Sequence, residues 1–126
     1  MGPEDARRYA RLLSYGRIAL GVTALVAPRL PSLPWLGDAE SRRSSVQLLA
    51  RSLGARDVAL GLGPVLALRH EAPARGWMEA GGLADAGDLV GTLVAWRTLP
   101  RRTRLVMLGV ISSSMVASRV LATSLH

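Results

Sequence analysis

Five ionisable residues stand out for the chemistry they allow: Arg17, Arg56, Asp57, Asp85 and Asp88, each set within a mainly apolar segment. An ionised group in hydrocarbon costs roughly 3 kcal/mol on insertion scales, so such groups are kept where they face inward with partners or line a polar cavity. Two guanidiniums face three carboxylates. Sealed from water, five such groups reach their least costly charge state with one carboxylic acid protonated, and a neutral acid held in an apolar cavity is a proton donor.

The elements that position these residues are helices. We read four, about 4–27, 45–69, 74–96 and 101–124, with Ser44 or Ser45 capping the second and Pro73 and Pro100 separating those that follow. Residues 28–44 carry Pro28, Pro31 and Pro34, then Trp35 and a polar run, and read as a Pro-rich interfacial loop. Counting about 1.5 Å per residue puts Arg17, Arg56 with Asp57, Asp85 with Asp88, and Ser112 to Ser114 at one depth. Each helix contributes one stripe to that level. Ala10, Ser14, Arg17, Gly21 and Ala24 share a face, as do Ala50, Gly54, Asp57 and Gly61. On the third helix the stripe is Trp77, Gly81, Asp85, Asp88, Thr92 and Trp96. Glu79 lies on another face and is expected to pair with Arg119 or Arg11.

No segment is an uninterrupted apolar run of about 18 residues. Composition nevertheless favours lipid: 49% of residues are hydrophobic, mean hydropathy is +0.25, and 13 glycines and other small residues are spread through the apolar segments. Stretches 18–28, 58–68 and 105–118 are apolar or small all round, where a soluble bundle would repeat a charged outer face. The expected fold is an all-α, four-helix transmembrane bundle, residues 1–126 forming a single multi-pass domain of the cell membrane. The first helix is read as a retained span, since Leu25 and Ala27 make no small-x-small cleavage site. Arg29, Arg42, Arg43, Arg97, Arg101, Arg102 and Arg104 outnumber Arg7, Arg8, Arg11, Arg69 and Arg75, which favours cytoplasmic first and third loops.

The net charge of +7 comes with arginines gathered at helix ends rather than along one face. That distribution suits anionic headgroups and argues against a nucleic-acid partner. The absence of cysteine excludes disulfides and thiolate chemistry. His70 and His126 show no metal-ligand spacing, and Ser112 to Ser114 have no histidine at their depth, so neither a metal site nor a serine hydrolase is expected. Aromatic-belt positions account for Trp35, Trp77 and Trp96 without chemistry.

The segment Leu53-Gly54-Ala55-Arg56-Asp57-Val58-Ala59-Leu60-Gly61-Leu62-Gly63, followed by Gly82-Leu83-Ala84-Asp85-Ala86-Gly87-Asp88, resembles a group of small four-span actinobacterial membrane proteins. Proteins of this size and layout include the integral-membrane terpene cyclases of indole sesquiterpenoid and prenylated diketopiperazine pathways. The resemblance implies protonation of an alkene or epoxide of a farnesyl chain without a cofactor or metal, on a prenylated substrate entering from the bilayer. Asp88 or Asp85 would be the general acid and Asp57 its relay or electrostatic partner. Arg17 and Arg56 would orient the acids, with Trp77, Trp96, Glu79 and Tyr15 toward the substrate. The aromatic complement is lean for this chemistry, with no phenylalanine. The alternative is a non-catalytic accessory subunit or carrier in which the same residues form a structural ion network.

Overall fold

The computed structural model describes residues 1–125, and among these the chain is all-helical, with five helices and no strand. They are α1 (Pro3–Val26), α2 (Arg29–Ser41), α3 (Ser44–Arg69), α4 (Arg75–Val94) and α5 (Arg101–Ser124). Four correspond to the helices expected from sequence. The fifth, α2, replaces the expected Pro-rich loop. Pro31 falls in its first turn, where a backbone N–H has no helical acceptor to lose, and the chain breaks at Gly37, whose φ of 78° lies in the left-handed region. Proline therefore marks a helix start here, and glycine the kink, rather than an irregular connection. Nor do Ser44 and Ser45 cap α3: Arg43 holds the cap position, without a side-chain bond.

Long helices pack most extensively as two antiparallel pairs, α1 with α3 and α4 with α5. The first pair meets through glycine. A methyl group added at Gly21 would lie 2.5 Å from the Gly54 carbonyl oxygen, and one at Gly54 would lie 2.7 Å from the Gly21 carbonyl. Gly61 is equally pressed against Ser14 and Ile18. Small residues let the two backbones approach this closely.

The bundle is layered along its length. At one end α2 turns from α1 by 57° and packs on α1, α3 and α5, with the Thr103 hydroxyl donating to the Trp35 carbonyl. Asp38 accepts from Arg29 Nη2 at 3.1 Å and Arg42 Nε at 2.9 Å, tying the start of α2 to the segment after its kink. The opposite end is a compact apolar cluster of Ala6, Ala10, Ala67, Leu68, Ala74, Met78, Leu121 and Ala122. Between these ends lies a polar belt.

Small residues fill most of the interior, and many large apolar side chains lie on the surface. Buried positions are mostly Ala, Gly, Ser and Thr, whereas Leu20, Leu62, Leu66, Leu83, Val90, Leu93, Val94, Leu105, Val110 and Val116 are exposed. α5 is long and apolar enough by itself to cross a membrane, and most of its apolar stretch faces outward; α1 and α2 reach that mark only as a bent pair.

Candidate functional site: an alternating charge chain between the helix pairs

Arg17 reaches from the middle of α1 into the belt. Its Nη1 donates to Asp57 Oδ1 at 3.1 Å, and its Nη2 forms an ion pair with Asp85 Oδ2. The same nitrogen lies 3.3 Å from both the Gly81 carbonyl and Ser114 Oγ. The guanidinium packs against Gly81 at ordinary contact distance: a Cβ there would lie 3.5 Å from Nη2. Ser114 in turn donates to Asp85 Oδ2 at 2.7 Å, so α5 joins the belt through a hydroxyl.

Arg56 completes the set from α3. Its two terminal nitrogens grip Asp88 at 2.9 and 2.8 Å in a bidentate pair, and Nη2 also approaches Asp57 Oδ1 at 3.4 Å. Paired, planar geometry of this kind gives the strongest guanidinium–carboxylate contacts. Thr92 bonds the Asp88 backbone carbonyl at 2.8 Å, while Arg56 Nε is buried without an acceptor.

These contacts form one chain of alternating sign: Asp85, Arg17, Asp57, Arg56, Asp88. It is graded in burial. The side chains of Asp85, Arg17 and Asp57 are 9, 11 and 14% exposed, whereas Arg56 and Asp88 are each 31% exposed. Both guanidiniums belong to the α1–α3 pair, and two of the three carboxylates belong to α4, so the Arg17–Asp85 and Arg56–Asp88 bridges join one helix pair to the other. Low dielectric strengthens such contacts and makes each one costly to leave unmatched.

The remaining residues proposed from sequence stand outside this chain. Glu79 pairs with Arg75 at 2.8 Å on its own helix, rather than with Arg119 or Arg11, and both side chains are exposed. Trp77 lays its indole against Gly63, two turns along α3 from Arg56. Trp96 lies beyond the end of α4, where the Arg104 guanidinium sits 5.2 Å from its ring centre. Tyr15 is exposed beside Arg7, Arg8 and Arg11. His70 caps the end of α3, and His126 lies outside the described residues. Among the described residues no group of carboxylates and histidines is arranged to hold a metal.

Ser114 is the belt member that residue types alone did not single out. Its depth was legible, but the choice among three consecutive serines was not. Ser113 points outward and bonds the Gly109 carbonyl at 2.6 Å.

Two open grooves, of about 400 and 510 Å³, lie toward the amino-terminal end of α1, and neither is lined by a member of the charge chain. Comparison with protein-family models, curated proteins and solved structures finds no match to this chain.

Proposed function

We propose that this protein is an integral-membrane terpene cyclase of the cell membrane, in which α1, α3, α4 and α5 all cross the bilayer and a buried aspartate starts the reaction. Helices of 24, 26, 20 and 24 residues span roughly 30 to 39 Å, enough for a hydrocarbon core of about 30 Å. The outward leucines and valines supply the lipid-facing surface.

The observation that carries the catalytic reading is the surplus carboxylate. Three acids and two guanidiniums leave one negative charge, which a single proton neutralises. Asp88 is engaged by both terminal nitrogens of Arg56, whereas Asp57 and Asp85 share Arg17. We therefore assign the proton to the Asp57–Asp85 pair and its delivery to Asp85, with Ser114 and Arg17 holding that carboxyl in place. Transfer to a terminal alkene carbon, or to an epoxide oxygen, of a farnesyl chain creates a carbocation that the internal double bond attacks. The resulting carboxylate lies near the cation, and loss of a proton to a base ends the sequence. Substrate and product are isomers. A farnesylated indole or diketopiperazine fits this scheme, its prenyl tail partitioning from the bilayer.

A second reading, a non-catalytic membrane protein with a structural ion network, is favoured by a different observation. Each carboxylate in the chain contacts a guanidinium, and the two open grooves lie away from all of them. Membranes containing the protein, supplied with farnesylated indole and diketopiperazine compounds in alkene and epoxide forms, separate the two. A product of unchanged mass and new retention time, reduced about 100- to 10,000-fold in a folded Asp85→Asn variant, is the outcome expected of a catalytic acid. Absence of conversion across all substrates, with Asp85→Asn lowering only the melting temperature, assigns the chain to structure.

A further inference from the structure

The two grooves meet at Leu12. One, about 400 Å³, runs between α1 and α5 and is lined by Tyr9, Leu12, Leu13, Ala117, Val120 and Leu121. Its neighbour, about 510 Å³, is lined by Glu4, Arg7, Arg8, Arg11, Leu12 and Tyr15. Arg7, Arg8 and Arg11 form no salt bridge among the described residues, unlike Arg17, Arg29, Arg42, Arg43, Arg56 and Arg75. With Glu4 counted, the rim carries two net positive charges.

We propose that these joined grooves bind an anionic phospholipid, its phosphate on the Arg7–Arg8–Arg11 rim and one acyl chain along the α1–α5 groove. An apolar trough continuous with a cationic rim matches an amphiphile carrying a negative head. A nucleic acid would satisfy the rim and leave the trough empty, and a neutral lipid would do the reverse. Arginines near an anionic headgroup contribute about 1 kcal/mol each, so losing all three corresponds to roughly a hundredfold weaker binding. The proposal rests on the membrane reading but is independent of the catalytic one.

Full-length protein in neutral detergent, mixed with phosphatidylglycerol or phosphatidylcholine and read by native mass spectrometry, tests it. Phosphatidylglycerol is expected to be retained, phosphatidylcholine not. The combined R7Q, R8Q and R11Q variant should lose that preference, while the distant pair R101Q and R102Q keeps it. Val120→Trp, which fills the trough, should weaken retention by itself. Glycerol phosphate, which has the head without the chain, should fail to displace the lipid. Equal retention of both lipids, unchanged retention in the triple variant, or displacement by glycerol phosphate overturns the site. Recovery of the protein in the soluble fraction without detergent is the separate sign that the membrane reading has failed. All substituted positions are exposed, and equal melting temperatures verify that the variants are folded.

Discussion

Arg17 touches Asp57, Asp85, Ser114 and the Gly81 carbonyl, so its side chain meets residues of α3, α4 and α5 from α1. Arg17→Gln would leave Asp85 without a guanidinium and Asp57 with only its longer contact to Arg56, and is expected to cost about 3 to 5 kcal/mol, as for other broken buried pairs. Asp88→Asn should cost less, because Asp88 is more open to solvent and Arg56 keeps Asp57. Thermal melts in one detergent check the order: a smaller loss for Arg17→Gln than for Asp88→Asn would contradict it. The five charges were legible in the sequence because rise per residue fixes their depth. Their pairing was not, since two long guanidiniums reach several carboxylates and packing chooses among them. Glu79 shows the same limit. A partner one turn away, Arg75, requires no tertiary alignment, and the structure uses it in place of Arg119 or Arg11.

Among the elements, α1 and α3 depend on closeness, and each of their facing glycines sits against backbone. Gly54→Ala would place a methyl 2.7 Å from the Gly21 carbonyl and 2.8 Å from the Ala24 Cβ, neither of which is a flexible side-chain end. Overpacking of this kind costs about 1 to 3 kcal/mol, whereas Gly87→Ala, with open space around it, should be neutral or stabilising. Equal melting temperatures for these two variants would argue against the close α1–α3 contact. α2 offers a pH-dependent prediction. The Arg42 side-chain bond, with Arg29 assisting, holds the Asp38 carboxyl below its ordinary value near 3.8. A depressed pKa stabilises the fold above the unfolded value, and that contribution is lost as pH falls from about 3.8 through the folded value. Titration of the Asp38 carboxyl by NMR should give a midpoint below 3.8, returning toward it in Arg42→Gln. The helical state of residues 29–41 was hidden because proline and glycine signal loops by composition, while their effect depends on position within a turn.

Across the whole molecule small residues dominate the interior, while many leucines and valines face out. A photoreactive probe dissolved in lipid should label Leu83, Val90, Val94, Leu105 and Val116, and labelling of these positions by a water-borne reagent instead would contradict the membrane reading. Four long helices and their shared belt were readable from spacing. The division into two tight pairs was not, because glycine contacts and guanidinium contacts leave similar marks in sequence. This division bears on biogenesis. Before the halves dock, the α1–α3 pair holds Arg17 and Arg56 against the single carboxylate of Asp57, while α4 carries Asp85 and Asp88 with no guanidinium partner. If the helices cross the bilayer as proposed, neither half is electrically matched by itself, and the balance improves only when α4 docks beside α1 and α3. On that proposed topology an unassembled half would hold unmatched ionic residues at the depth of the hydrocarbon, which is costly, so the charge chain would favour complete assembly over either half alone.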